Sequence, residues 1–327
     1  MLFVVICAHI IKRQEIRILE QFQCPKSNLS QCEDKLIICE DYIAVADGAT
    51  AKGSLLWDGM TSGYRAVEII CEIIHNLPPD TTINDFIVAA NVAICEYYNR
   101  FSRLQEVYNI KEERLTASVV LYNKNRKEIW MIGDCLFRIN ERSYRNDKII
   151  DDKLARVRSE IDSYLLNHGY TIDLLQKTDV GRLFISKALK EQQYFQNDKN
   201  ACEYSYGVID GFDVEMSQTI CVDVPEFSEV VLASDGYPKL FGTLEESEHY
   251  LQKVLAEDPL CISLNKQTKG LMVGNNSYDD RTFVRFVWHY KIFCVNGNTG
   301  FRNESRIFNF IHLQNEEEHE RKESSSA

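Results

Sequence analysis

The chain of 327 residues carries 37 Lys and Arg against 49 Asp and Glu, a formal net charge of -12, and 45% of its residues are hydrophobic. That length gives ample chain to bury a core without disulfide or zinc staples, as one large domain or two small ones. The acidic balance argues against nucleic acid or an anionic membrane as the main partner, since both call for a basic surface.

Residues 1–10, MLFVVICAHI, make an apolar run too short to span a bilayer and lack a small-residue cleavage site after it. A first β-strand is the preferred reading and a misassigned start codon the other. Short β-branched runs predict strands at residues 35–39 and 42–46. Helical periodicity follows from about residue 55 to 74, where Leu56, Val67, Ile70 and Ile74 share a stripe. Past the turn at Asn76-Leu-Pro-Pro-Asp80 it resumes from 83 to 104, with Phe86, Ala90, Ile94 and Tyr97 at helical spacing. Strands return at 115–122, 128–132, 229–233 and 282–288. Between them, residues 147–200 are polar, helix-prone in parts and poor in strand signals, which reads as an insertion or flap. Strands, two long helices, then strands again predict an α+β fold with helices packed on antiparallel sheets. With no repeat and no low-complexity linker, one domain is expected over 1–300. The extension 301–327 ends in the charge-dense QNEEEHERKESSSA and is expected to be disordered from about 313.

The eleven cysteines are scattered, and none forms a C-x-x-C; several lie in apolar runs such as Ile69-Ile70-Cys71. Buried thiols of this kind suit a reducing cytoplasm better than a disulfide framework. No His pairs with a Cys at zinc-finger spacing, and His75, His168, His249 and His289 have no Ser or Cys context suggesting a triad.

Acidic residues recur where strands end. Residues 42–46 run into Asp47-Gly48, 129–132 into Gly133-Asp134, and 229–233 into Ser234-Asp235-Gly236. Asp279-Asp280 precedes the strand at 282–288, and Glu33-Asp34 opens the strand at 35–39. Any one of these could be an ordinary turn, because Asp bonds its own backbone and Gly accepts positive φ. Asp210-Gly211 is taken as such a turn. Five acidic sites converging at strand ends would repel one another unless protonated or neutralised by cations. Hard oxygen ligands suit Mg2+ or Mn2+ rather than zinc, and a pair of such ions serves phosphoryl hydrolysis.

The order Glu33-Asp34, Asp47-Gly48, Gly133-Asp134, Ser234-Asp235-Gly236 and Asp279-Asp280-Arg281-Thr282 resembles the metal-dependent protein phosphatase family, the protein phosphatase 2C type. The resemblance covers roughly residues 15–290, and Leu115-Thr-Ala-Ser-Val-Val is similar to the strand before the family's Gly-Asp turn. It implies a four-layer α/β/β/α sandwich of two antiparallel sheets flanked by helices. It also implies two Mg2+ or Mn2+ ions, bridged by Asp47, with the Gly48 carbonyl completing one and Asp235 and Asp279 binding the other. Glu33 would contact the metal site through water, with Asp34 close behind it. Asp134 would sit at the turn that some members use for a third, weaker metal. Asp47 and Asp34 are thus the expected catalytic residues. The implied reaction is hydrolysis of phosphoserine or phosphothreonine in a phosphoprotein by hydroxide activated by the two ions. It needs no covalent intermediate, so Cys135 beside Asp134 reads as a small residue filling a turn.

Three departures bear on activity. Many members carry a His after the bridging Asp-Gly, a general acid, where this chain has Ala49. Eukaryotic members hold the phosphate with an Arg before the first acidic pair. Residues 24–32 contain none, leaving Lys26 as a replacement or as a plain surface lysine. Asp280 stands where Asn is usual. These departures keep two alternatives open: a catalytically weak or inactive regulatory or phosphopeptide-binding module, and an α+β domain whose Asp-Gly turns are only turns. Gly48-Ala-Thr-Ala-Lys52-Gly53-Ser54 lacks the glycine–lysine order of a nucleotide-binding loop.

Overall fold

The computed structural model describes residues 9–29, 31–200 and 202–295. The expectations for residues 1–8 and for 296–327 lie outside the described residues. Residues 18–287 gather into one unit, and the two chain ends belong to a second whose described parts lie on the first and last strands. The strands are β1 (His9–Cys24), β2 (Asp34–Ile38), β3 (Tyr42–Gly48), β4 (Ala117–Asn123), β5 (Glu128–Ile132), β6 (Leu136–Ile139), β7 (Arg142–Tyr144), β8 (Thr219–Asp223), β9 (Glu229–Ala233) and β10 (Arg281–Val295). The helices are α1 (Ser62–Asn76), α2 (Ile83–Arg100), α3 (Leu104–Asn109), α4 (Ile149–Asn167), α5 (Ile172–Lys177), α6 (Val180–Glu191) and α7 (Leu244–Glu257).

Two five-stranded sheets form, one in the order β2-β3-β4-β5-β8 and the other β1-β10-β9-β6-β7. The first is antiparallel throughout, and so are the pairs β10–β9, β9–β6 and β6–β7 of the second. Both faces of β3 and β4 are buried, which is why they read as unbroken apolar runs rather than alternating ones. Ala44, Ala46, Val119 and Leu121 pack with Val67, Ile70 and Ile74 of α1 and Phe86, Ala90 and Ile94 of α2. The alternate residues turn toward the second sheet, where the Tyr122 ring lies 5.1 Å from that of Phe286. Beyond the second sheet, Leu136, Val231, Ala233 and Phe283 pack with Leu244 at the start of α7. The result is the expected α+β sandwich of two antiparallel sheets flanked by helices.

Helix boundaries follow local chemistry. α1 starts at Ser62 rather than near residue 55, because Asp58 and Gly59 have φ of 50° and 78° and break the chain, after which Thr61 caps the helix. Leu56 is therefore 62% exposed and off the buried stripe. α2 opens on a capping box between Thr82 and Asp85 and ends at Arg100, short of 104, where Ser102 takes a φ of 56°. The stretch 147–200 is helical, holding α4, α5 and α6 around Leu154, Ile185 and Leu189. Among the described residues no helix is long and apolar enough to cross a membrane.

Candidate active site

Sheet register brings the acidic strand ends together. Asp34, the first residue of β2, pairs with Asp47 near the end of β3. β5 delivers Asp134 through Gly133, whose φ of 91° and contact with Ser118 leave no room for a side chain. β9 runs into Asp235, and Asp279 and Asp280 lead into β10. β3 must also lie close under α1: a Cβ at Gly48 would fall 2.5 Å from the Gly63 carbonyl oxygen and 2.8 Å from that of Glu33.

A cavity of 440 Å3 is lined by Asp47, Gly48, Asp134, Asp235 and Asp279. Glu33, Asp34 and Lys26 do not line it. Asp34 is 1% exposed, and its Oδ2 has no hydrogen-bond partner. Burial, together with the charges of Asp279, Asp280 and Asp235, pushes its carboxyl up to about 8 against a hydrogen bond from Ser234. Burial likewise drives Asp47 and Asp235 well above the usual carboxylate range, with the charge of Asp34 adding to it at Asp47 and that of Asp47 at Asp235. Glu33 is raised by burial, with the Thr61 hydroxyl and Lys26 countering.

Two of the carboxylates have cations of their own. Burial would raise Asp134, but Lys148 Nζ at 2.7 Å and the Ser118 hydroxyl at 2.6 Å hold it below its ordinary value. Asp279 is also lowered despite its burial, because Lys269 Nζ bonds its Oδ2 and Lys26 Nζ stands 3.7 Å from its Oδ1. The same Lys26 ammonium lies 3.8 Å from Glu33 and 3.9 Å from Asp280, so it sits among three carboxylates. Asp280 accepts the backbone N–H groups of Lys26 at 2.7 Å and Glu33 at 2.8 Å, one on each oxygen. Asn, with one acceptor oxygen, could not take both in this way. Its role is to pin the 26–33 loop beside β10.

The donor set fits a hard divalent cation in chemistry: every candidate ligand is an oxygen, Asp34 Oδ2 is buried without a partner, and the Asp47 charge works against ionisation of Asp235. In spacing the fit is incomplete, since among the described residues no three Asp, Glu, His or Cys side chains are gathered as a ready metal site. The lysines account for part of this. Asp279 Oδ2 already accepts from Lys269, so an ion approaching that oxygen would meet the charge of the ammonium.

The lysine and arginine side chains of the cavity had no sequence signal. Lys52, Lys148, Arg182 and Lys269 all line it, yet only Lys52 stands in a stretch of note, a loop without the nucleotide-binding order. Asp210, read as a turn, does form one with Gly211 at a φ of 89°, and its carboxylate also takes a buried ion pair from Arg114 at 2.9 Å. Cys135 is fully buried, and burial raises its thiol well above the ordinary value, which makes it a poor nucleophile.

No protein-family model matches the chain, and no curated protein matches it. Among solved structures it is similar to RsbX in complex with magnesium, at 13% identity over 84% of this chain and 100% of that one, with a TM-score of 0.40. It is similar to the Mycobacterium tuberculosis serine/threonine phosphatase PstP/Ppp at 14% identity over 84% and 98% of the two chains, with a TM-score of 0.39. A third is the Staphylococcus aureus serine/threonine phosphatase Stp1, at 12% identity over 85% and 95%, with a TM-score of 0.42. The fold and the site described above stand on this chain's own elements and side chains.

Proposed function

We propose that the chain is a divergent member of the metal-dependent, protein phosphatase 2C type, and that it hydrolyses phosphoserine or phosphothreonine in a phosphoprotein. The observation that carries the reading is the arrival of Asp47, Asp134, Asp235 and Asp279, from four separate strand ends, on one 440 Å3 cavity. When bound, a pair of Mg2+ or Mn2+ ions would supply charge to the phosphoryl oxygens and lower the pKa of the attacking water. Asp47, Asp235 and Asp279 would hold the pair with the Gly48 carbonyl, and Asp134, now paired with Lys148, would hold a third. Asp34 pairs with Asp47 in cross-strand register, and burial raises its carboxyl to about 8. Glu33 is oriented by the Thr61 hydroxyl and by Lys26. Ala49 lines the cavity where a histidine acid would act, so turnover about a hundredfold below an enzyme with that acid is expected. The described cysteines are free, in keeping with a cytoplasmic setting.

The ion pairs of Lys269 with Asp279 and Lys148 with Asp134 favour a second reading, a non-hydrolytic regulatory or phosphopeptide-binding module in which lysines take the cation's place. Hydrolysis of p-nitrophenyl phosphate with Mn2+, with EDTA, and by Asp47→Ala separates the two. The phosphatase reading expects turnover that needs Mn2+ and disappears in the variant. Absence of Mn2+-dependent turnover by the unaltered chain would sink it and leave the module.

A further inference from the structure

The Lys and Arg side chains of the cavity other than the exposed Lys266 divide into two kinds. Lys148 is committed to Asp134 at 2.7 Å, Lys269 to Asp279, and Arg145 to Asp147 at 3.0 Å. Neither the Lys52 ammonium nor the Arg182 guanidinium forms an ion pair among the described residues, though Asp151 and Asp134 pull on the one and Asp179 and Asp279 on the other. The Lys52 ammonium makes no hydrogen bond there, and Arg182 gives only Nη1, to the Thr268 carbonyl at 2.7 Å and hydroxyl at 3.4 Å. Both side chains also line a second cavity of 420 Å3, so they stand at the border of the two, one from the loop after β3 and the other from α6. Two cations held near one another on a concave wall repel, and an anion seated between them would offset that repulsion along with the carboxylates of the wall.

We propose that Lys52 and Arg182 bind the phosphoryl oxygens of the substrate, replacing the arginine that residues 24–32 lack. The inference rests on the phosphatase reading for its substrate, a phosphate monoester, but the anion site itself needs only the cavity. Burial and the charges of Lys148 and Arg182 lower Lys52 to about 8 against the pull of Asp151, so the ammonium is poised to gain from a dianion beside it. Arg182, lowered by burial, keeps its remaining N–H groups for a phosphate fork. The clamp also gives residues 147–200 a part in the chemistry, because α6 brings one of the two cations to a site built on the sheets.

The test titrates inorganic phosphate into the full chain by calorimetry, in Mn2+ buffer, for the unaltered protein and for Lys52→Met, Arg182→Met and Lys52→Arg. Lys187→Met, on the exposed face of the same helix, is the control. Loss of one charge-assisted contact should weaken phosphate about tenfold or more in either Met variant, with Lys52→Arg largely restored and the control unchanged. With p-nitrophenyl phosphate, KM should rise by a similar factor while kcat moves less. Phosphate bound equally by both Met variants and the unaltered chain overturns the clamp, whatever the turnover. A chain without turnover that still loses phosphate binding in both variants overturns the phosphatase reading and keeps the clamp.

Discussion

Asp34 carries the cost of assembling the site in a single side chain. Its carboxyl is 1% exposed, one oxygen is unpartnered, and its proton is held to about 8 against an ordinary value of 3.8. Below pH 3.8 the group is protonated folded and unfolded, and its burial is harmless. As pH rises toward 8 the unfolded chain ionises while the folded chain must keep the proton, so stability falls. Asp34→Asn keeps the shape and an acceptor for Ser234 but removes that dependence. Thermal melts in EDTA should show the variant gaining over the unaltered chain as pH goes from 5 to 8, by roughly 3–4 kcal/mol. A difference that stays flat across that range would mean Asp34 already ionises freely in the folded protein. The sequence placed Asp34 beside Asp47 through the hairpin of two short strands. It could not show which carboxylates have a lysine, because Lys148 reaches Asp134 across the β6–β7 hairpin and Lys269 reaches Asp279 across ten residues without helix or strand.

At the scale of elements, the strands with both faces buried are readable from their apolar runs, and α2 from its periodicity after a Pro-Pro turn. α1 begins later than its periodicity predicts because Leu55 and Leu56 extend the apolar spacing into a turn that Asp58 and Gly59 set. β7, three residues long at the sheet edge, has too little chain for any period to register. The polar stretch 147–200 hides the most because its helices are joined by charge rather than by a wide apolar face. Arg158 on α4, 1% exposed, bonds Asp179 at the start of α6 at 2.8 Å and the carbonyl of Leu260 at 2.8 Å, with Asp162 at 3.3 Å. Removing it would leave two acidic groups buried and unpaired, a change worth about 3–5 kcal/mol. Arg158→Ala is therefore expected to lose amide protection in α4, α6 and residues 258–271 while β3, β4 and β9 keep theirs. Equal loss in the central strands on hydrogen exchange would show that the helices are not held by this cluster alone. Since Lys269 and Arg182 ride on these segments, the same variant should weaken phosphate binding.

For the molecule as a whole, part of the acid behind the charge of -12 lies on the candidate site. Asp47, Asp134, Asp235 and Asp279 are gathered on one cavity although burial makes each unwelcome there as an anion. Such an arrangement is costly without cations, and lysines answer for only Asp134 and Asp279. A divalent ion that binds the folded chain alone should then stabilise all of it by mass action, about 2.7 kcal/mol at a hundred times the Kd. For a domain of this size that is a rise in Tm of roughly 5 °C or more. The chain stripped with EDTA and titrated with Mn2+ should show that rise, Asp47→Ala should not, and sodium at matched ionic strength should not reproduce it. Lys269→Met sharpens the test, because it frees Asp279 Oδ2 and removes the ammonium with which an ion must compete. Its apo form should be less stable than the unaltered chain, its Tm should climb further with Mn2+, and the midpoint of the titration should fall to lower metal. If the variant instead loses the Mn2+ response along with Asp47→Ala, Lys269 belongs to the ion's surroundings rather than standing in for it. If neither the unaltered chain nor the variant responds, the lysines are the only cations this cluster was built to hold.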